Sequence, residues 1–117
     1  MPMIRESDPF TVVMEYEVEQ GRQQEMIDAV TALVRRHIRH DPAFISASFH
    51  AHEDGRRVMN YAQWTSRTDW EQSAAQTDPE LRARFVAAVT GCGGTRTRLD
   101  FLKVTRVVER AGMPVVA

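Results

Sequence analysis

The sequence predicts an α+β domain in which helices cover one face of an antiparallel sheet. Three patterns predict it: an apolar segment that alternates except at Val13, two segments with helical apolar spacing, and a hairpin signal between them. The predicted order of elements is β-α-β-β-α-α-β. All of them fall in one domain, residues 1–117, with a core at about 10–108 and loose tails.

The first strand and first helix differ in the period of their apolar residues. Residues 10–19 alternate, which predicts a half-buried strand with Phe10, Val12, Met14, Tyr16 and Val18 on one face. Residues 22–40 instead carry apolar side chains at spacings of three and four, which is typical of one helix face; His37 falls within that stripe. Asp41-Pro42 ends this helix, because the residue before proline avoids helical angles.

A hairpin follows the first helix. Residues 44–52 and 57–64 are predicted strands, and Asp54-Gly55 between them favours a two-residue turn. In the first of these strands, one face is predicted to carry Ile45, Ala47, Phe49 and Ala51.

Two short helices and a last strand complete the pattern. Ser66 is a predicted N-cap for a helix ending near residue 75, and Asp78-Pro79 begins the next helix. Residues 97–108 are the predicted last strand. This order is that of the ferredoxin-like split βαβ fold. Since the second sheet face also carries apolar residues, we expect two copies to pair sheet against sheet as a homodimer.

Composition excludes several classes of function. A net charge of −1 provides no broad positive field for nucleic acid or for anionic membranes. Cys92 is the only cysteine, so no internal disulfide can form. No apolar run is long enough for a membrane span or a signal peptide, so we expect a cytoplasmic protein without a membrane partner.

Asn60 and Trp64 are the first candidates for a functional site. Residues four apart on a strand share a face, and Val58 and Ala62 make that face otherwise apolar. A buried amide needs hydrogen-bond partners. The pair therefore indicates either a binding pocket or an asparagine tied to the backbone beside a core tryptophan.

Other polar residues give weaker signals. Arg82 borders the apolar stripe of the last helix and could reach a buried oxyanion, or it could be solvated. His50 and His52 share a strand face, and His37 and His40 lie three apart on the first helix. Neither pair has a carboxylate or cysteine at ligand spacing, so no metal site is predicted. No local motif makes Cys92 a nucleophile.

Residues 48–66 carry a family resemblance. The hairpin containing His50-Ala51-His52 and Asp54-Gly55, followed by the run from Asn60 to Trp64, closely resembles the antibiotic biosynthesis monooxygenase (ABM) family. The segment is most similar to that family's cofactor-free, quinone-forming members, as in actinorhodin biosynthesis. The order of elements agrees over about residues 10–108.

The resemblance implies a ferredoxin-like dimeric α/β barrel. It also implies oxidation of an aromatic polyketide of the anthrone type to a quinone by O₂, without a metal, flavin or haem cofactor. The implied catalytic residues are Asn60, Trp64 and Arg82, with Arg84 as the alternative arginine. A family tyrosine is replaced here by Trp70, which puts any tyrosine-dependent step in doubt.

Four residues form the predicted substrate-binding set: His50, Trp70, Phe49 and Phe85. His50 or a phenol of the substrate would accept the proton. Alternatives are a flavin-dependent ring-cleaving oxygenase and a non-enzymatic dimeric ligand-binding or stress module. A haem-degrading member is disfavoured, since residues 10–19 contain no asparagine and residues 66–89 no histidine.

Overall fold

The computed structural model describes residues 9–112. Its elements follow the predicted order, and most of the predicted loose tails falls on residues 1–8 and 113–117, outside the described residues. The elements are β1 Phe10–Glu17, α1 Gln23–Leu33 continued by a π-helical turn Val34–Ile38, β2 Phe44–Ala51, β3 Arg57–Trp64, α2 Arg67–Ala75, α3 Pro79–Thr90 and β4 Thr95–Lys103.

The four strands form one antiparallel sheet in the order β2-β3-β1-β4. This is the strand order of the split βαβ arrangement, so the predicted ferredoxin-like α+β fold is confirmed. In the register of β1 and β3, Phe10 lies opposite Trp64 and Met14 opposite Asn60. The apolar alternation of β1 therefore continues directly onto the face that carries the candidate site.

Helices pack on that face in two apolar clusters. The first, here called the valine cluster, joins sheet and helix residues and consists of Val18, Met26, Val30, Val58, Val89 and Cys92. The second, here called the aromatic cluster, consists of Val12, Ala62 and Trp64 with partly buried neighbours that include Phe10, Phe44 and Trp70. We call this side of the sheet the helix-covered face and the other side the open face.

The two predicted helix caps that follow β3 are confirmed. Ser66 Oγ accepts a hydrogen bond of 3.0 Å from the backbone N–H of Asp69 at the start of α2. Asp78 Oδ1 accepts one of 2.7 Å from the N–H of Glu80, with Pro79 at the first helical position of α3. These bonds satisfy donors that a helix start leaves free.

The last strand is shorter than predicted. β4 ends at Lys103, which lies opposite Phe10, the first residue of β1. The ladder stops there because the chain has no β1 residue left to pair with residues 104–108. The β-branched composition of 97–108 indicated strand propensity but not the length of the available partner.

β2 and its hairpin also differ from the prediction. A register shift between Phe44 and Ser46 puts Phe44, not Ile45, opposite Trp64, so Phe44 joins Ala47 and Phe49 on the helix-covered face. The hairpin connection is longer than two residues: β2 ends at Ala51 and β3 begins at Arg57. Within it Gly55 adopts a φ of 76°, a left-handed conformation that favours glycine.

The first helix ends in a π-helical turn. Arg39 N–H donates to the carbonyl of Val34, five residues earlier, at 2.8 Å. This wider turn changes the angular spacing of the side chains, so the stripe extrapolated from α-helical spacing fails here. His37, predicted within the stripe, is exposed instead. Among the described residues, no helix is long and apolar enough to cross a membrane.

Candidate active site

Asn60 and Trp64 share the helix-covered face of β3, as their spacing predicts, with Ala62 between them. Asn60 is flanked across the strands by Met14 and Phe49. Trp64 is only 7% exposed, and the ring of Phe44 meets it edge-on at a centroid distance of 5.4 Å. Ala47 lies opposite Ala62 on the neighbouring strand, so two small side chains lie between the Phe44–Trp64 pair and the Phe49–Asn60 pair.

One polar atom of this pair is buried without a hydrogen-bond partner. Asn60 Oδ1 accepts no bond from residues 9–112. Buried polar groups are usually paired, and an unpaired one costs about 1–3 kcal/mol. An unpaired amide oxygen on the same wall as a buried indole has the composition of a ligand site.

Asn60 lies at the boundary between the two apolar clusters. Along β3, Val58 belongs to the valine cluster and Ala62 to the aromatic cluster. The π-helical turn also contacts both clusters. Val34 packs against the valine cluster and Ile38 against the aromatic cluster. π-helical turns are frequent at functional sites. The amide therefore lies where the core changes from aliphatic to aromatic.

Trp70 brings α2 into the aromatic cluster. Its ring centroid lies 5.9 Å from that of Phe10 and 5.2 Å from that of Phe101. Phe101 is 38% exposed, and the guanidinium of Arg67 lies over its ring at 4.7 Å. Trp70, where the family resemblance implies a tyrosine, is thus one of three aromatic residues that pack together beside Trp64.

Phe49 and Phe85 lie on the other side of Asn60. Both are partly buried and pack against the valine cluster, Phe49 from β2 and Phe85 from α3. Phe49 is the direct cross-strand neighbour of Asn60. The structure therefore brings Phe49 to the candidate site, and it places Phe85 in the adjacent apolar cluster.

The two candidate arginines are exposed and engaged elsewhere. Arg82 Nη2 donates to the carbonyl of Ala74, near the end of α2, at 2.8 Å. Arg84 forms a 3.2 Å ion pair with Glu80 on its own helix. No contact in the described chain joins either arginine to Asn60 or Trp64, so a role toward the substrate stays a prediction.

His50 does not join the other candidates. It alternates with Phe49 on β2 and lies opposite Met59, which puts it on the open face. There Ser48 Oγ lies 3.0 Å from His50 Nε2, and the ring meets Tyr61 edge-on at 5.3 Å. The sheet separates His50 from Asn60, because neighbouring residues of a strand point to opposite faces. The structure therefore does not bring His50 to Asn60 and Trp64, and its predicted role in substrate binding stays a prediction.

Tyr16 lies near Asn60 and is not among the site residues predicted from the sequence. It lies on the helix-covered face of β1 and packs against the valine cluster. Its hydroxyl donates to Met14 Sδ at 3.1 Å. Burial raises the pKa of Tyr16 above its usual value, partly offset by Arg96, so the hydroxyl keeps its proton. A tyrosine within an apolar alternation was the available signal, because its hydroxyl needs a partner when buried.

Cys92 is a core residue. It is 2% exposed, and its thiol donates to Glu25 Oε2 at 3.2 Å. Burial raises the pKa of Cys92, and the neighbouring Glu25 carboxylate raises it further. A protonated thiol is a weak nucleophile. Within residues 9–112, no three His, Cys, Asp or Glu side chains meet as a metal site would require.

Comparison with known proteins identifies the family. The model of the antibiotic biosynthesis monooxygenase family matches residues 9–83. The tetracenomycin-F1 monooxygenase of Streptomyces glaucescens is 41% identical over 78 residues, which cover 67% of this chain and 68% of that protein.

Solved structures share the fold. The ActVA-Orf6 monooxygenase of Streptomyces coelicolor, solved in complex with nanaomycin D, is 28% identical with a TM-score of 0.66, covering 92% of this chain and 94% of that one. SnoaB, a cofactor-independent oxygenase from Streptomyces nogalater, is 17% identical with a TM-score of 0.65, covering 92% and 100%; at that identity it shows the fold alone. The chain is therefore a monooxygenase of the antibiotic biosynthesis monooxygenase family.

Proposed function

We propose that this monooxygenase oxidises an anthrone-type aromatic polyketide to a quinone with O₂ and without a metal, flavin or haem cofactor. The observation that carries the proposal is the buried, unpaired Oδ1 of Asn60 on the same wall as the buried indole of Trp64. The family match and the tetracenomycin-F1 monooxygenase support the substrate class.

The chemistry needs little from the protein. The methylene of an anthrone, flanked by two aromatic rings and conjugated to a carbonyl, loses a proton readily. The resulting enolate passes one electron to O₂, the two radicals combine to a hydroperoxide, and loss of water leaves the quinone carbonyl. One oxygen atom enters the product and the other leaves as water.

The protein's contribution is to bind and to stabilise charge. A flat ring fits against the small side chains Ala47 and Ala62, between the aromatic cluster and Phe49. Asn60 Nδ2 and Trp64 Nε1 donate to the oxygen that becomes negative in the enolate. Donors fixed before reaction stabilise such charge most in a site that excludes water. Since His50 lies on the open face, a phenolate of the substrate is the better proton acceptor.

The open face supports the proposal that the enzyme is a homodimer. Two large apolar residues of this face are exposed, Tyr61 at 36% and Leu102 at 49%. A second copy packed sheet against sheet would cover them. Light scattering at micromolar concentration should show twice the monomer mass, and a monomer would contradict this.

Turnover of the purified protein tests the proposed reaction. Anthrone and tetracenomycin F1 are incubated with enzyme in air after chelator treatment and without added flavin, while oxygen uptake and the quinone spectrum are followed. We expect one O₂ consumed per quinone, at a rate well above the uncatalysed one. Activity that needs reduced flavin would instead support the ring-cleaving alternative, and activity lost to the chelator would contradict metal independence.

A further inference from the structure

Tyr16 and Asn60 are two polar residues of the helix-covered face, and neither has a strong hydrogen-bond partner among the described residues. Tyr16 offers a hydroxyl hydrogen, but its partner is the thioether of Met14, which is a weak acceptor. Asn60 offers Oδ1, an amide acceptor, and within residues 9–112 no donor reaches it. Each group therefore lacks the kind of partner that the other could supply.

The two groups lie close together in the sheet. Met14 is the direct cross-strand partner of Asn60, and such pairs have Cβ atoms about 4.5–5.5 Å apart. The Tyr16 hydroxyl contacts the Sδ of that same Met14, so one methionine neighbours both groups. The two are nevertheless not hydrogen-bonded to each other.

Other neighbours cannot satisfy Asn60. The residues beside it on this face, Phe49, Val58 and Ala62, carry no side-chain donor. The open face offers a contrast, since Thr11 Oγ1 and Gln63 Oε1 are also buried without a described partner. Those two residues lie directly opposite each other, so each has a polar neighbour in the sheet. The fourth such oxygen among residues 9–112, Glu109 Oε2, lies after the end of β4. Among the described strand residues of the helix-covered face, only Asn60 carries a buried acceptor without a partner.

We propose that Tyr16 and Asn60 together bind the edge of an aromatic substrate that carries a hydroxyl beside its carbonyl. Tyr16 O–H donates to the carbonyl oxygen, and Asn60 Oδ1 accepts from the neighbouring phenol. This inference rests on the proposed function and narrows its substrate class to ortho- or peri-hydroxylated ring ketones. Tyr16 then joins Asn60 Nδ2 and Trp64 Nε1 around the oxygen that becomes negative.

Binding of quinones, which are not consumed, tests this separately from turnover. The dissociation constants of 1-hydroxyanthraquinone and anthraquinone are measured by tryptophan fluorescence for the wild type, Tyr16→Phe and Asn60→Leu. In the wild type we expect the hydroxylated quinone to bind about tenfold more tightly or better, as one satisfied buried acceptor implies. Asn60→Leu should remove that preference, because the acceptor is gone.

Tyr16→Phe has a matched control in Tyr61→Phe, since these are the two tyrosines of the chain and Tyr61 lies on the open face. Tyr16→Phe should weaken binding of both quinones about fivefold to tenfold and keep the preference. Tyr61→Phe should leave both constants unchanged. Equal wild-type affinities for the two quinones, or equal behaviour of the two tyrosine variants, would overturn the inference. If anthrone turnover failed while the binding preference held, the proposed reaction would be wrong. The binding of the carbonyl and the neighbouring hydroxyl by Tyr16 and Asn60 would still stand.

Discussion

The two apolar clusters under the helices differ in how completely they are filled. The valine cluster contains Met26 and Val58 at 0% exposure, and none of its six buried members is aromatic; the rings of Tyr16, Phe49 and Phe85 pack against it at its edge. The aromatic cluster has three buried members, and the aromatic rings around them are only partly buried. A tightly filled cluster stabilises the fold, whereas a cluster of partly exposed rings leaves surface for a flat ligand. We therefore expect substitutions in the first to change stability and substitutions in the second to change turnover.

Truncation in the valine cluster should have the largest effect on stability. Met26→Ala removes a fully buried side chain of α1, and such changes cost about 2–5 kcal/mol in the free energy of unfolding. Urea denaturation measures the loss. Met59→Ala is the control, because Met59 is only half-buried and lies on the open face. The proposed difference between the two clusters would be wrong if Met26→Ala lowered the free energy of unfolding no more than Met59→Ala. It would also be wrong if the folded Met26→Ala enzyme showed a lower kcat than the wild type.

In the aromatic cluster, loss of one N–H should slow turnover without unfolding the protein. Trp64→Phe keeps an aromatic ring and removes the indole donor, so kcat for anthrone oxidation should fall about 10²–10³-fold. The free energy of unfolding should fall by less than in Met26→Ala, because phenylalanine refills much of the space that the indole occupies. Trp70→Phe is the matched control; since Trp70 is predicted to bind the ring and not the oxyanion, KM should rise while kcat stays within about threefold of the wild type. A Trp64→Phe enzyme with wild-type kcat would show that Trp64 only packs in the core.

Removal of the N-cap of α2 should have a smaller effect, both on the free energy of unfolding and on KM. Ser66→Ala removes the acceptor for the Asp69 N–H and should cost about 1 kcal/mol in the free energy of unfolding. Because α2 carries Trp70 into the aromatic cluster, KM should rise as well. Thr68→Ala, at an exposed position in the first turn of the same helix, should change neither quantity measurably. If thermal unfolding shows equal midpoints for the two variants, the cap does not stabilise α2.

The smallest effect concerns pH at the hairpin beside the valine cluster. Backbone hydrogen bonds from Arg56 and the side chain of Arg57 hold the pKa of Asp54 well below its usual range. A carboxyl whose pKa is lowered by folding stabilises the protein above its unfolded pKa of about 3.9, and this contribution is lost as pH falls below that value. The free energy of unfolding of the wild type should therefore fall between about pH 5 and pH 2 more steeply than that of Asp54→Asn. Parallel profiles would show that Asp54 contributes nothing, and Glu53→Gln, in the same turn, should keep the wild-type slope.

The sequence predicted much of the candidate site because local periodicity decides it. The spacing of Asn60 and Trp64 placed them on one face of β3, and the alternation of β1 placed Met14 and Tyr16 on the same face of the sheet. The helix caps at Ser66 and Asp78 followed from local hydrogen-bond chemistry. All of these features depend on residues that are near neighbours in the chain.

The failures concern features that other elements determine. β4 stops where β1 begins, and β2 shifts its register at Ile45, neither of which is visible within the segment itself. His37 is exposed because the helix widens into a π-helical turn. The meeting of the Tyr16 hydroxyl with a thioether beside an unpaired amide depends on the cross-strand register, which the sequence alone does not give.

A double-mutant cycle on anthrone oxidation tests most directly whether Asn60 and Trp64 form one oxyanion site. Oxygen uptake is measured for the wild type, Asn60→Ala, Trp64→Phe and the double variant, with folding checked by circular dichroism. We expect each single change to lower kcat about 10²–10³-fold, and the double variant to lose clearly less than the product of the two, because both donors act on one oxygen. Wild-type rates in both folded single variants would contradict the proposal and leave the pair as core packing.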